Sequence, residues 1–375
     1  MANLLSHEKR LRVLAALLDG NSVRAASRMT GVHQDTISRF AFAAGTGAGH
    51  LHNRLARNLS CTLIEMDEIW TWCGVKEARK TAEHPAGFGD VWVWVAVCGV
   101  SRMVISWHAG RRDQASADAF MTDVRARLVA MPQITSDGYA AYEPAVAKAF
   151  GAGVDFGQVV KTWQKGGKKG PDHRYEPSRD PLLVKRAALG APNLATSTTA
   201  HVERNNLTIR HMNGRLRRLC LAFSKRPENH RAALALSYAW FNLGRVQKGM
   251  KITPAMAAGV TDHIWELDEF LTAVMTAEPC ESPAPVPLVP RVPETTHREL
   301  PSGRGFLRVV DGGKGKPSEA PRAPTPPAAP PARVGTGEAP REPLPPPGTQ
   351  LDLFAWRPRP RQLAFFDDDP NDEQW

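Results

Sequence analysis

Residues 91–108 read VWVWVAVCGVSRMVISWH. Valine alternates with tryptophan and alanine at a period of two, the period at which neighbouring side chains of a strand point to opposite faces. Gly99-Val100-Ser101 interrupts the run, so it reads as a hairpin of two strands, 91–100 and 102–108. This is the most apolar stretch of the chain. It nevertheless alternates and carries Arg102, which argues against a membrane span.

Outward from the hairpin the same reading continues. Residues 61–70, CTLIEMDEIW, form a strand, and a loop with Gly74 and Pro85 leads into the hairpin. Residues 115–129 form an amphipathic helix with Phe120, Val124 and Leu128 on one side. A short strand, 134–136, ends at Asp137-Gly138; a further strand spans 154–163, and a helix spans 198–212. Three antiparallel strands, a helix, then shorter parallel strands with helices is the order of an RNase H-like fold. The expected class is α/β, a mixed sheet with flanking helices over residues 57–250.

Before it, residues 1–50 have a helix-turn-helix rhythm. Leu11, Val13, Leu14, Leu17 and Leu18 recur at helical spacing before Gly20, and Ser22 caps a second helix, 23–29. Thr30-Gly31-Val32 makes the turn into a third helix, 33–42, with Ala26, Val32 and Ile37 packed between the two. That third helix would offer Gln34, Asp35, Thr36, Ser38 and Arg39 to a major groove. A three-helix docking domain without DNA contacts is the plainer alternative.

After the α/β region, residues 251–277 read as two short helices, with Thr253-Pro254 as N-cap and first helical residue. Residues 278–375 hold 22 of the 31 prolines and read as a disordered Pro-rich tail.

The chain of 375 residues carries a formal charge of +10, which favours a polyanionic partner. Its five cysteines, at 61, 73, 98, 220 and 280, include no Cys-x-x-Cys pair, so neither a zinc ribbon nor a redox dithiol is indicated. No apolar signal core precedes Arg12. The expected location is the cytoplasm, associated with the nucleoid, with no membrane partner.

Two-metal phosphodiester chemistry needs carboxylates converging from separate elements. Asp67 lies inside an apolar strand, a costly place for a carboxylate unless it is paired or binds metal. Glu65 and Glu68 are its local rivals, and Glu65 shares its strand face. Asp137 follows the short strand; a turn aspartate before glycine is the plainer reading. Glu203 shares a helix face with Asn206, Leu207 and Arg210, a pattern also met in solvated salt-bridge faces. His201, two residues before Glu203, merits a test of its own.

Four ordered motifs over about residues 60–250 carry a resemblance. They are Asp67-Glu68-x-Trp70, Ser136-Asp137-Gly138-Tyr139-x-x-Tyr142, Glu203-Arg204-x-Asn206-Leu207-x-x-Arg210, and Arg215-Leu216-x-Arg218-x-x-Leu221-x-Phe223-Ser224-Lys225. Together they resemble the DDE transposases of the insertion-sequence-one type. The resemblance implies two Mg²⁺ (or Mn²⁺) ions held by Asp67, Asp137 and Glu203, and recombination at terminal inverted repeats. It implies double-stranded DNA as partner, both element ends and target, with at least a dimer needed for synapsis. Three features depart from the prototype. The second Asp and the Glu are 203 − 137 = 66 positions apart, a longer spacer. The family's zinc-ribbon segment is missing, and Asn205 stands where the prototype has histidine.

Two basic stretches fit DNA. Residues 161–186 hold eight Lys/Arg against three acids, with Trp163 and Tyr175 interleaved; residues 204–226 add Arg204, Arg210, Arg215, Arg217, Arg218 and Lys225. Near the end of the tail, Gln350-Leu351-Asp352-Leu353-Phe354 is similar to the peptide by which bacterial replication and repair proteins hold the sliding clamp, and Gln362-Leu363-Ala364-Phe365-Phe366 is a weaker copy. Leu and Phe anchors on an unfolded segment suit an apolar pocket. The sequence thus reads as a DNA transposase. A nuclease without strand transfer and a catalytically silent DNA-binding regulator are its alternatives.

Overall fold

The computed structural model describes residues 5–151, 153–162, 182–217 and 220–289. The tail motifs at 350–354 and 362–366, Arg218, Trp163 and Tyr175 lie outside the described residues.

Six strands form one mixed sheet: β1 (Leu63–Cys73), β2 (Gly89–Cys98), β3 (Val104–Gly110), β4 (Gln133–Ser136), β5 (Asp155–Thr162) and β6 (Leu182–Leu189), in the order β3-β2-β1-β4-β5-β6. β1 pairs antiparallel with β2 and parallel with β4; β2–β3 and β5–β6 are antiparallel, and β4–β5 is parallel. The two sheet faces follow from alternation. Trp94 and Ala96 of β2, with Ile64 and Met66 of β1, pack on Phe120 and Val124 of α4 (Gln114–Ala126) and on Tyr142 and Val146 of α5 (Tyr142–Phe150). Val93, Val95 and Val97, with Ile69, pack instead on Val202 and Ile209 of α6 (Ala200–Met212) and on Leu234 and Tyr238 of α7 (Pro227–Leu243). Both faces of β2 are therefore buried, as its near-continuous apolar sequence requires, and β1 beside it carries its acids between apolar residues of both faces.

The first helices are α1 (His7–Leu18), α2 (Val23–Thr30) and α3 (Gln34–Leu55). Ser22 caps α2 by accepting the Ala25 N–H at 3.1 Å, and Gly31 takes the left-handed conformation (φ 68°) that the turn demands. Ala26, Val32 and Ile37 are buried between them. α3 does not stop at Phe42. It runs on through an AAGTGAG segment to Leu55, because small residues there admit two other helices. A Cβ at Gly45 would stand 2.3 Å from the Ala232 carbonyl oxygen of α7. One at Gly47 would stand 1.7 Å from the Val274 carbonyl oxygen of α9 (Leu267–Met275). The weak helix propensity of glycine is outweighed by this close packing. α1–α3 share one core with α7, α9 and the short α8 (Pro254–Ala257), built on Leu14, Ile37, Leu51, Leu236 and Phe270. Among the described residues no helix is long and apolar enough to cross a membrane.

Candidate metal centre

Parallel pairing sets the site. Leu63, Ile64 and Glu65 of β1 stand opposite Gln133, Ile134 and Thr135 of β4, so the same register brings Asp67 level with Asp137, one residue beyond the end of β4. One carboxylate oxygen from each of Asp67, Glu68 and Asp137 lies within 4.8 Å of the others.

Each acid is held differently. Asp67 Oδ2 accepts the side-chain amide of Asn206, on α6, at 2.8 Å. Asp137 Oδ1 accepts the Tyr139 N–H at 3.0 Å, a turn contact that fixes the carboxylate after the strand ends. Glu68, with its side chain 2% exposed, faces the α4/α5 side; its Oε2 receives Arg112 Nη2 at 3.4 Å. Its Oε1 is buried and takes no hydrogen bond of ordinary geometry, with the Tyr142 hydroxyl beside the carboxylate as the donor at hand. Burial pushes the Asp67 carboxyl up to about 6, opposed by the Glu68 backbone N–H and reinforced by the charge of Asp137. Burial, followed by the charge of Asp137, pushes Glu68 up to about 7. The nearby Tyr142 hydroxyl is raised as well, chiefly by burial and then by the charges of Glu68 and Asp67.

The donor set fits a hard divalent cation. It offers carboxylate oxygens only, and two of the carboxyls are raised chiefly by burial and further by the charge of Asp137, a cost to their charged forms that a bound cation would offset. These three residues can hold a metal ion.

Two of the three acids expected from sequence, Asp67 and Asp137, are thus brought together. Glu203 sits in the first turn of α6, its side chain 43% exposed, and accepts from Lys161 Nζ and from Thr199 Oγ1, the latter at 2.7 Å. Its charge adds a last, small contribution to the upward shift of Asp67, but it is not among the three carboxylates that come together. Glu65 is drawn away from the cluster: it accepts the backbone N–H groups of His201 at 2.8 Å and Val202 at 3.1 Å. By sequence Glu68 is a rival of Asp67; by geometry it is its companion. Alternation alone points it to the opposite face, yet beyond the last β4 pair its carboxylate still lies within 4.8 Å of those of Asp67 and Asp137.

The residues expected to meet DNA are spread more widely. Gln34 and Arg39 are exposed, and Thr36 and Ser38 half-buried, on the first turns of α3. Gln34 and Ser38 line a cleft of about 850 Å³ shared with Arg24, Arg215, Arg217 and Lys225. Arg204 is exposed and Arg210 half-buried, whereas Asn206 is buried against Asp67. Arg215 is anchored to Ser224 Oγ at 3.0 Å.

No family model matches the chain, and no curated protein is similar to it. Among solved structures it is similar to a piggyBac transposase in a synaptic complex with hairpin DNA, determined by cryo-EM, at 11% identity and a TM-score of 0.29. The similarity covers 68% of this chain and spans 56% of the length of that one. At that degree of similarity it assigns neither fold family nor function.

Proposed function

We propose that this chain is a DNA transposase whose RNase H-like core cleaves and joins phosphodiester bonds at the ends of an insertion sequence. The observation that carries the reading is the convergence of Asp67, Glu68 and Asp137 where β4 ends beside the middle of β1. A sheet order of 3-2-1-4-5 with β2 antiparallel supports the RNase H-like assignment, and the four motifs support the family. Asp67, Asp137 and Glu203 are the acids the resemblance names; Glu68 joins them by geometry.

When bound, two divalent ions, Mg²⁺ or Mn²⁺, supply positive charge at the phosphate and favour ionisation of the attacking water. Asn206 holds Asp67 in one orientation, and Arg204, Arg210 and Arg215 place cationic groups along and beyond α6 for DNA phosphates. In the first reaction water adds to the phosphorus and the 3′-oxygen of the element end leaves. In the second, that 3′-hydroxyl attacks a target phosphate and displaces the target's own 3′-oxygen. The helices α1–α3 recognise the terminal repeat with Gln34, Thr36, Ser38 and Arg39. Synapsis of two ends needs two or more copies of the chain.

The Lys161–Glu203 ion pair favours a second reading, a silent regulator in which Glu203 stays neutralised. Incubation with Mg²⁺, a labelled duplex from the repeats flanking the gene, and a plasmid separates the readings. Joined product identifies a transposase, cleavage without joining a nuclease, and binding without either a regulator.

A further inference from the structure

Arg112 lies in the three-residue loop between β3 and α4, at the lip of the acidic cluster. Its guanidinium carbon stands 4.0 Å from the ring centre of Tyr139 and 4.7 Å from that of Trp92, so both rings hold it. The Tyr139 hydroxyl donates to the Arg112 carbonyl oxygen at 2.9 Å, closing the cage. Two of the three clustered acids are tied to this unit. Glu68 contacts the guanidinium directly, and Asp137 accepts the backbone N–H of Tyr139.

The donors of Arg112 are largely unspent. A guanidinium has five N–H groups. Among the described residues only one hydrogen bond engages them, the single 3.4 Å contact to Glu68 Oε2. A counter-ion built to neutralise Glu68 would present two parallel N–H groups to its carboxylate at 2.7–2.9 Å. Instead Glu68 Oε1 receives nothing from Arg112, whose side chain remains 36% exposed. Aromatic faces fix a guanidinium flat without consuming its donors. The arrangement is a pre-oriented planar cation, open to solvent, beside three carboxylates that would otherwise repel an approaching anion.

We propose that Arg112 is a phosphate-binding residue, its free edge receiving the oxygens of a DNA phosphodiester close to the one that is cleaved. This rests on the DNA reading above. It adds a cation that none of the sequence motifs contains, on the opposite side of the cluster from α6.

The test is DNA binding as a function of salt with Ca²⁺ in place of Mg²⁺, comparing wild type, R112Q and R112K. Loss of one phosphate contact lowers the magnitude of the slope of log affinity against log salt by about 0.9. R112Q is expected to show that loss and to bind roughly tenfold more weakly at low salt. R112K is expected to keep the slope but lose affinity, because an ammonium lacks the two-pronged edge. A slope unchanged in R112Q, with DNA still bound, overturns the proposal and leaves the functional reading standing. Absence of DNA binding by the wild type overturns both. If R112Q does not fold, a neutral methylphosphonate walked through the duplex replaces it: at one position it should weaken wild type more than R112K, which keeps the charge contact but not the two-pronged one, and equal weakening of both at every position overturns the proposal.

Discussion

Glu65 and His201 join strand β1 to helix α6: the carboxylate accepts the His201 backbone N–H at 2.8 Å and also meets the Nδ1 of its ring. With the Val202 N–H at 3.1 Å, Glu65 satisfies orphan donors of the α6 first turn, as an N-cap side chain would, from a different element. The same strand carries Asp67 and Glu68, and the same helix carries Glu203 and Asn206. One buried carboxylate thus fixes the spacing between the two sets of candidate residues.

Replacing Glu65 with alanine leaves those N–H groups without their partner. The expected cost is about 2–3 kcal/mol in urea unfolding, and less for E65Q, which keeps an acceptor oxygen. Cleavage should fall further than stability does, because Glu203 and Asn206 move with α6. An E65A protein as stable as wild type would mean that α6 is held by apolar packing alone.

Divalent cations should stabilise the fold. At a hundredfold excess over its dissociation constant, an ion that binds only the folded chain adds about 2.7 kcal/mol. Scanning calorimetry with Mg²⁺ or Mn²⁺ should show this as a rise in Tm that D67N and D137N abolish. E68Q and E203Q decide the remaining ligand. The geometry predicts a larger loss for E68Q; loss in E203Q alone would return the site to the set named by the resemblance.

Two buried histidines give the fold a pH dependence. His52, bonded to the Ile105 carbonyl oxygen, is held down to about 3 by burial and then by Arg127. His230, bonded to Ser224, is held down to about 3 by burial and then by Arg215. Their folded values lie below the unfolded value of about 6.5, so the unfolded chain binds more protons and stability is lost as pH falls from 6.5 towards 3. Between pH 7.5 and 5 each contributes a loss of about 2 kcal/mol. Asp67 and Glu68, raised in the folded state, act in the opposite sense, their contribution being lost as pH rises from the usual carboxylate range to about 6 and about 7 respectively. The informative quantity is therefore the change in that pH dependence when His52 or His230 is replaced by glutamine. Each replacement should flatten the acid-side loss; an unaltered profile would contradict neutral burial.

The tail prediction is independent of the fold. A peptide of residues 345–368, which spans both tail motifs, should bind a bacterial sliding clamp in calorimetry, and L353A/F354A should abolish most of the heat. No heat with the unaltered peptide would remove the clamp from the account.

The hairpin was legible because strict alternation has a single structural meaning, and Asp67 because it is a carboxylate inside an apolar strand; Asp137, locally a turn aspartate, stood out only through the motifs it shares with the other acids. Other features depended on partners distant in sequence. The AAGTGAG segment of α3 looks like a helix end until α7 and α9 are placed against it. β6, LLVKRAAL, was hidden in a basic stretch and is a strand because β5 pairs with it. α5 has its proline, Pro144, in the first turn, where the helix tolerates it, yet locally it reads as a motif spacer. Glu68 could not be assigned from alternation, since its role depends on where β4 ends. Arg112 bears no motif at all; only the placement of Trp92 and Tyr139 reveals it.

The most direct measurement is strand joining by wild type and D137A side by side, with Mg²⁺, a labelled element-end duplex and a target plasmid. The account predicts cleavage and joining of the labelled 3′-end by wild type, and neither by a D137A protein that still folds and binds the duplex. Joining that persists in D137A, or a wild type that binds the duplex yet neither cleaves nor joins it, would contradict the account.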